Sequence, residues 1–177
     1  MFDLIGDIHG QAIELEVLLD KLGYKRSGNL YRHQDRMVIF LSDFIDRGPY
    51  QKRTLELVRA MIDAGAAKAV MGNHEYNAIA YFTSNDKGGF LRQRNERNTK
   101  QHQSFIDAYS ANKSEWSEMI EWFKSLPLWL DLEGLRVVHA CWDPFYIKKI
   151  SDEYNSTALL NDDLLRASSV PGSWQYK

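Results

Sequence analysis

The sequence predicts an α/β fold with a parallel sheet, because short apolar runs alternate with helical patterns along the chain. The run at residues 37–41 is apolar throughout, which is typical of a strand buried on both faces. Similar runs at 2–5 and 67–71 also lead into a polar loop and then a helix. Because ligands of such sheets collect at the carboxyl ends of the strands, we expect these loops to meet at one edge.

The first helices are predicted from the spacing of apolar residues. In residues 11–22, leucines recur at helical spacing, and Gly23 is placed to end the helix. A second helix is predicted between Pro49 and Gly65, where apolar residues again share one face. Residues 28–36 are ambiguous, with a hairpin as one interpretation.

The second half of the chain predicts a mostly helical insert or lid at residues 84–125, between two polar motifs. Within it, residues 92–103 suit either a mobile loop or a polar helix. A hairpin is predicted around Glu133-Gly134. Further helices are predicted at 104–111, 115–125 and 158–167. Three tryptophans at helical or strand spacing are expected in the core: Trp116, Trp122 and Trp129.

Length and composition predict a single soluble domain. The 177 residues exceed the usual size of one domain only slightly, and the 44% apolar content is ordinary for globular proteins. A net charge of −2 gives no reason to expect a nucleic-acid partner, and the mixed charges of residues 87–100 favour a solvated face. No apolar run reaches the roughly 20 residues of a membrane span, and no signal peptide is recognisable, so we expect a cytoplasmic protein. The oligomeric state is left open.

Two polar loops follow the first two long apolar runs. Asp7 and His9 combine a carboxylate and an imidazole, which suit Mn, Fe or Zn. Asp43 follows the run at residues 37–41 after Ser42, and one carboxylate at this strand end can bridge two cations. Asp46 can orient a histidine, as carboxylates behind metal sites commonly do, and Arg47 offers a planar fork for phosphate oxygens. An aspartate that caps the next helix would explain one of these aspartates, but not both together with the arginine.

Further polar residues follow the other apolar runs. Asn73 can give its carbonyl oxygen to a metal, and His74 is a candidate general acid because histidine titrates near neutral pH. His139 follows the run at residues 135–138. Each residue alone has an ordinary explanation, such as a solvated turn or a core histidine. Their occurrence at four predicted strand ends favours one shared site, a dinuclear metal centre that hydrolyses phosphate esters.

The motifs resemble those of the calcineurin-like metallophosphoesterases. They are most similar to the phosphoprotein-phosphatase branch, which includes protein Ser/Thr phosphatases and bacterial diadenosine tetraphosphatases. The resemblance covers about residues 2–143. It implies a metallophosphoesterase-type central β-sandwich flanked by helices, with the motif loops at the strand carboxyl ends. The matching blocks are Gly6-Asp7-Ile8-His9-Gly10, Ser42-Asp43-Phe44-Ile45-Asp46-Arg47-Gly48, Gly72-Asn73-His74-Glu75 and Val138-His139.

The resemblance also implies a metal site. Asp7 and His9 match ligands of a first divalent ion, and Asp43 matches the carboxylate that bridges two ions. Asn73 and His139 match ligands of a second ion. The expected cofactors are therefore two divalent metal ions, with Mn favoured and Fe or Zn as alternatives.

The resemblance further implies a reaction. His74 matches the catalytic acid, Asp46 its carboxylate partner, and Arg47 a phosphate clamp. The implied activity is hydrolysis of phosphate mono- or diesters by a hydroxide held between the two ions. The expected partner is a phosphorylated substrate, either a phosphoprotein or a small molecule such as a dinucleoside polyphosphate.

Two positions depart from the family pattern. Ser42 stands where the family usually has glycine, and no histidine follows His139, although the family has one more histidine ligand in that direction. We expect a single domain at residues 1–177 that lacks its C-terminal part, with a short form that has a weakened second metal site as the alternative. The alternative function is a catalytically weak phosphate-binding or regulatory module.

The remaining reactive residues have less specific expectations. His33 and His102 lie in polar segments and are expected to be ordinary surface residues. Cys141 is expected to be a small buried hydrophobic residue, with an exposed thiolate that makes activity redox-sensitive as the alternative. Trp142 is placed to line the mouth of the site.

Overall fold

A computed structural model describes residues 1–154 and 158–176. Along these residues no helix combines the length and the apolar character needed to cross a membrane. The elements, in chain order, are β1 (Phe2–Ile5), α1 (Ala12–Lys21), β2 (Lys25–Ser27), β3 (Leu30–Arg32), β4 (Met37–Phe40), α2 (Gln51–Asp63), β5 (Ala67–Ala69), α3 (Asn73–Phe82), α4 (Glu96–Gln101), α5 (Gln103–Tyr109), α6 (Lys113–Ser125), β6 (Trp129–Leu132), β7 (Leu135–Val138), α7 (Pro144–Tyr154) and α8 (Asp162–Ser168).

The predicted parallel sheet is confirmed. Its strand order is β1-β4-β5, with Phe2 beside Met37 at one end of the first pair and Val38 beside Ala67 in the second. Parallel neighbours need long crossovers, and α1 with the β2–β3 hairpin, and then α2, supply them. All three carboxyl ends therefore point to the same edge of the sheet.

The central strand β4 is buried on both faces, as its apolar run predicts. Val38 and Phe40 belong to the large core beneath the helices, whereas Ile39 packs with Val70 and Val137 in a second cluster. Val137 lies in β7, so the β6–β7 hairpin covers the sheet face opposite the helices. The result is a small β-sandwich flanked on one side by helices, as expected from the motifs.

The helices of the second half pack onto the same core. Phe105 of α5 and Phe123 of α6 are fully buried, with ring centroids 5.7 Å apart. Trp122 is 9% exposed and belongs to this core, and Trp116 packs against it, as predicted for both. Residues 84–125 thus carry helices α4, α5 and α6, of which α4 is the polar helix left open by the sequence.

Some predicted elements differ from the structure. Helix α7 has no counterpart in the prediction, although Ile147, Ile150 and Tyr154 recur at helical spacing. Ile150 and Tyr154 are partly buried and pack against the large core. The predicted helix at 158–167 begins later, where Asn161 accepts a hydrogen bond from Leu164 N and caps α8. Cys141 was expected to be buried but is exposed, since it lies in the loop between β7 and α7. The ambiguous segment forms the β2–β3 hairpin.

Candidate metal centre

The first two motif loops extend the pairing of β1 and β4 beyond the strands. Asp7 N donates to Ser42 O at 3.1 Å, and His9 N donates to Asp43 O at 2.7 Å. Gly48 N then donates to His9 O at 2.8 Å. A Cβ atom at Gly48 would lie 2.3 Å from that same oxygen, so only glycine allows this approach. The backbone therefore fixes how the two loops face each other.

Unusual backbone dihedrals concentrate in these loops. A positive φ is rare for residues other than glycine, and each instance costs on the order of 1–3 kcal/mol. Ser42 has φ of 69°, a conformation that glycine adopts without strain. Such strain persists only where surrounding contacts impose it, and here it aims side chains at one point. The motif residues concerned are Asp7, His9, Ser42, Asp43, Asp46 and Arg47.

The Asp43 carboxylate lies at the centre of three imidazoles. Its Oδ2 atom is 3.8 Å from His9 Nε2, 3.9 Å from His74 Nε2 and 3.7 Å from His139 Nε2. Asp43 is 4% exposed, and its Oδ1 accepts a hydrogen bond from His74 N at 3.1 Å. The side chain is thus held in place while one oxygen remains directed at the imidazoles.

His9 presents a nitrogen that needs a partner. Its Nδ1–H donates to Ile45 O at 2.9 Å, which leaves the lone pair of Nε2 directed inward. Nε2 is buried, has no hydrogen-bond partner among the residues that the structure describes, and lies 3.8 Å from Asp7 Oδ1. A buried polar atom without a partner costs about 1–3 kcal/mol, and a cation between His9 and the two carboxylates would remove that cost.

His139 and Asn73 form a second such pair. His139 Nδ1–H donates to Leu41 O at 2.6 Å, which joins the end of β7 to the end of β4. Its Nε2 lone pair faces Asn73 Oδ1 at 3.0 Å. Both facing atoms are then acceptors, an arrangement that a shared cation would stabilise. The structure therefore brings His139 to the edge formed by the other three motifs.

The donor set fits divalent metal ions. Two ligand atoms bonded at about 2.0–2.2 Å to one ion lie at most about 4.4 Å apart. Asp43 Oδ2 lies 3.8 Å from His9 Nε2 and 3.7 Å from His139 Nε2, and His139 Nε2 lies 3.0 Å from Asn73 Oδ1. Carboxylate, imidazole and amide oxygen together suit Mn, Fe or Zn. The groups of His9, Asp43 and His74 all lie within 4.8 Å of one another.

His74 also faces a second carboxylate. Its Nδ1–H donates to Asp46 Oδ2 at 2.6 Å, and the Asp46 side chain is fully buried. Burial acts to lower the pKa of His74, but the bond to Asp46 and the charge of Asp43 raise it above its ordinary value. Burial acts to raise the pKa of Asp46, but hydrogen bonds from His102 and His74 hold it below its usual range. Asp46 therefore stays ionised.

Glu75 supports the loop from behind. Its carboxylate accepts from Asp43 N at 3.0 Å and from Phe44 N at 2.8 Å. Complete burial, with a contribution from the negative charge of Asp43, raises the pKa of Glu75 to about 7. Gly72 is packed between the two carboxylates, because a Cβ atom there would lie 2.4 Å from Asp43 Oδ1 and 2.8 Å from Glu75 Oε2.

Arg47 is exposed at the rim of the site. Its backbone carbonyl accepts from Ser104 Oγ at 3.3 Å, so α5 holds the loop from outside. Its guanidinium has no ion-pair partner among residues 1–154 and 158–176. The side chain is therefore available to an anion that approaches the metal ligands.

The expectation for His102 was wrong. This residue is fully buried and donates from Nδ1 to Asp46 Oδ2 at 2.9 Å. The polar residues around His102 led to the expectation of a surface position. However, His102, Phe105 and Tyr109 are spaced as one helical face and are all buried. His33, by contrast, lies away from the site in a turn, where it accepts from Asp35 N.

Comparisons with known proteins agree with this geometry. The sequence profile of a family described as "Calcineurin-like phosphoesterase" matches residues 1–171. The bis(5'-nucleosyl)-tetraphosphatase PrpE (asymmetrical) of Oceanobacillus iheyensis is 32% identical over an alignment of 168 positions, which covers 92% of this chain and 64% of that protein. The protein of the same name from Bacillus cereus is 31% identical over an alignment of 181 positions, which covers 97% of this chain and 70% of that protein.

A solved structure is similar in fold. The cold-active protein-tyrosine phosphatase of a psychrophilic Shewanella species aligns with a TM-score of 0.60, 20% identity, and coverage of 96% of this chain and 54% of that chain. Identity at this level shows the fold alone. The chain spans 64% of the length of the Oceanobacillus iheyensis protein, so it is shorter than that relative.

Proposed function

The chain belongs to the calcineurin-like phosphoesterase family, and from that premise we propose that it is a metal-dependent hydrolase of phosphate esters or anhydrides. The observation that carries the proposal is the position of Asp43. Its Oδ2 atom lies 3.7–3.9 Å from the Nε2 atoms of three histidines from three separate segments of the chain. A surface cluster formed by chance would not combine this burial with inward-facing lone pairs.

The proposed ligands divide between two ions that share Asp43. Asp7, His9 and Asp43 would hold the first ion, and Asp43, Asn73 and His139 the second. We favour Mn²⁺, because mixed oxygen and imidazole donors suit it. When bound, such a pair of ions lowers the pKa of a water molecule and neutralises charge on the phosphate. The second set holds an amide oxygen where the first holds a carboxylate, so we expect the second ion to bind more weakly.

The protein's own groups would position the substrate and transfer a proton. Arg47 would pair with phosphate oxygens through its planar guanidinium. His74 would give the proton at Nε2 to the leaving oxygen, because its Nδ1–H is already committed to Asp46. Asp46 would stabilise the protonated imidazole and keep the ring aimed at Asp43.

The proposal is tested by adding Mn²⁺ to the metal-free protein, at its full natural length, and measuring hydrolysis of a nitrophenyl phosphate. We expect a metal-dependent rate, and a loss of about a hundredfold or more in Asp43→Asn, because this change weakens both proposed ion sites. The control is Asp35→Asn, a change at an exposed aspartate outside the motifs. Absence of any metal-dependent hydrolysis would refute the proposal, and tight phosphate binding without turnover would indicate a binding module instead.

The substrate class we favour is a dinucleoside polyphosphate rather than a phosphoprotein. The two curated relatives described above are named as tetraphosphatases of this kind. A cavity of about 900 Å³ also supports this choice. It is lined by Tyr76 and Asn77 of α3, and among the described residues its charged lining side chains are Lys87 and Arg92, with no carboxylate. Asn77 lies one helical turn beyond Asn73 on the same helix, and none of the proposed metal ligands lines the cavity.

The substrate choice is tested by comparing a dinucleoside tetraphosphate with a phosphoserine peptide at equal concentrations. We expect kcat/KM to favour the dinucleoside tetraphosphate by at least about tenfold, since only that substrate can place further phosphates beside Lys87 and Arg92. Arg92→Gln should reduce that preference while leaving nitrophenyl phosphate hydrolysis nearly unchanged. Equal use of both substrates would exclude this assignment but not the phosphoesterase activity.

A further inference from the structure

His102 shares the Asp46 carboxylate with His74. His102 Nδ1 lies 2.9 Å from Asp46 Oδ2 and 3.2 Å from Oδ1, while His74 Nδ1 lies 2.6 Å from the same Oδ2. The side chains of His102 and Asp46 are both 0% exposed. One carboxylate thus accepts from two imidazoles, of which only His74 faces the proposed metal ligands.

The position of His102 is rigidly determined. It stands at the junction where α4 ends and α5 begins, and Ile106 N donates to its backbone carbonyl at 2.8 Å. The Tyr81 ring lies edge-to-face against the imidazole, with centroids 5.4 Å apart. Ser104, two residues on, bonds to the backbone of Arg47. The same junction therefore holds both Asp46 and Arg47.

The chemistry of His102 is unusual for a core residue. Within the described part of the chain, its Nε2 atom is buried without a hydrogen-bond partner, so the imidazole satisfies only half of its polar capacity. An apolar side chain would fill this space at lower cost. An apolar side chain cannot, however, donate to Asp46, whose two oxygens otherwise receive, among residues 1–154 and 158–176, only the proton of His74.

We propose that His102 is a positioning residue for the general acid. It donates a hydrogen bond that fixes the rotamer of Asp46, so that Oδ2 meets His74 Nδ1 and the Nε2 atom of His74 faces the leaving oxygen. The inference rests on the proposed function. Without His102, the Asp46 carboxylate is free to rotate, and His74 samples orientations and tautomers that do not deliver a proton.

The consequence is a dependence on the leaving group. A substrate with a good leaving group, such as nitrophenyl phosphate, needs little proton donation, whereas phenyl or alkyl phosphates need it strongly. In His102→Leu, which keeps a side chain of similar size but removes the donor, we expect kcat for the poor leaving group to fall about tenfold or more. The rate with nitrophenyl phosphate should fall less than about threefold, with KM and metal content unchanged.

The matched variant is His102→Asn. The side-chain amide nitrogen of asparagine can take the place of Nδ1 and donate to Asp46, so it should restore most of the lost rate on the poor leaving group. A structural role would not give this rescue, because asparagine fills the space worse than leucine does. His33→Leu serves as a control outside the site and should leave both rates unchanged.

A direct measurement accompanies the kinetics. In the Zn²⁺-loaded protein, long-range proton–nitrogen NMR should find both His74 and His102 protonated at Nδ1. In His102→Leu the signal of His74 should become a mixture of tautomers. If that variant fails to fold, the wild-type spectrum decides, since a proton on Nε2 alone of His102 would overturn the inference.

The kinetic outcomes separate the two hypotheses. Equal losses on both substrates, or a wild-type rate of His102→Leu on the poor leaving group, would overturn the positioning role while leaving the phosphoesterase activity intact. Absence of metal-dependent hydrolysis in the wild-type protein would instead refute the proposed function on which the inference rests.

Discussion

Asp43 makes two kinds of contact that its neighbours cannot replace. Oδ1 accepts from His74 N at 3.1 Å, and Oδ2 faces His9, His74 and His139 at 3.7–3.9 Å. The first contact sets the rotamer, so the second oxygen is aimed before any ion arrives. Such preorganisation lowers the cost of binding, because the side chain has little freedom left to lose.

A substitution of His74 can show whether this residue is a general acid or a metal ligand. We predict that His74→Asn keeps its metal content, because Asp7, His9, Asp43, Asn73 and His139 would hold the ions without it. The rate on substrates with poor leaving groups should fall about 10²–10⁴-fold, the usual contribution of a general acid. Metal analysis by atomic emission, with kinetics on phenyl and nitrophenyl phosphate, checks both statements.

Loss of metal from the His74→Asn variant would change the role assigned to His74. His9, Asp43 and His74 lie close enough together to share one ion. If His74→Asn lost metal in proportion to activity, His74 would be a ligand, and its bond to Asp46 would then serve to orient that ligand.

At the scale of elements, the glycine before α3 links the helix to the metal centre. Gly72 has φ of −96° and ψ of 171°, a conformation that alanine adopts freely. The obstacle is space, because a Cβ atom would lie 2.4 Å from Asp43 Oδ1 and 2.7 Å from Asp43 N. The backbone nitrogen cannot yield without moving the end of β4.

We therefore predict that Gly72→Ala displaces Asp43 and weakens metal binding by about 10–100-fold, the range seen when groups that orient ligands are lost. Calorimetric titration with Mn²⁺ measures the change. Gly89→Ala is the matched control, since a Cβ atom there meets only the side chain of Asn85 at 3.3 Å. An unchanged affinity in Gly72→Ala would mean that the loop adapts without cost.

The two faces of β4 allow a test of the sandwich. Ile39 is fully buried between the sheet and the β6–β7 hairpin. We predict that Ile39→Ala lowers the free energy of unfolding by about 2–4 kcal/mol, the cost of an emptied core position. Urea unfolding of both proteins measures it. Leu4→Ala, at a position 51% exposed in β1, should cost less than about 1 kcal/mol. Equal losses at the two positions would contradict the assignment of Ile39 to a second core.

At the scale of the whole molecule, the proposed ions join separate parts of the chain. Asp7, Asp43, Asn73 and His139 come from four loops spread over most of the sequence. An ion that binds them in the folded state, and only weakly in the unfolded chain, stabilises the fold by mass action. Folding and metal binding are therefore expected to be coupled.

We predict that a free Mn²⁺ concentration 100 times the dissociation constant raises the free energy of unfolding by about 2.7 kcal/mol, and that a chelator reverses it. Thermal unfolding with and without Mn²⁺ measures the effect. Asp43→Asn should show little of this stabilisation by Mn²⁺, and Asp35→Asn should show the full stabilisation. The same gain in Asp43→Asn would place the metal elsewhere in the molecule.

The parts of the fold that the sequence could predict are those with a local signal. The apolar run of β4 predicted burial on both faces, and the order of strands and helices predicted the parallel sheet. The motif residues could also be grouped before the structure, because four polar blocks follow four apolar runs. Helix α7 was not predicted, since none of its residues is fully buried and charged residues lie between the apolar ones, Ile147, Ile150 and Tyr154.

The sequence by itself therefore determined most of the strand-and-helix pattern and the choice of candidate metal ligands that follow the predicted strands, namely Asp7, His9, Asp43, Asn73 and His139. Only the tertiary structure decided that His102 lies at Asp46, 56 positions away along the chain, and that Cys141 is exposed. The physical reason is that periodicity reports which face of an element is apolar, whereas contacts between distant loops depend on how whole elements pack. The strained backbone conformations of loop residues such as Ser42 also depend on tertiary structure, because only the assembled sheet imposes these conformations.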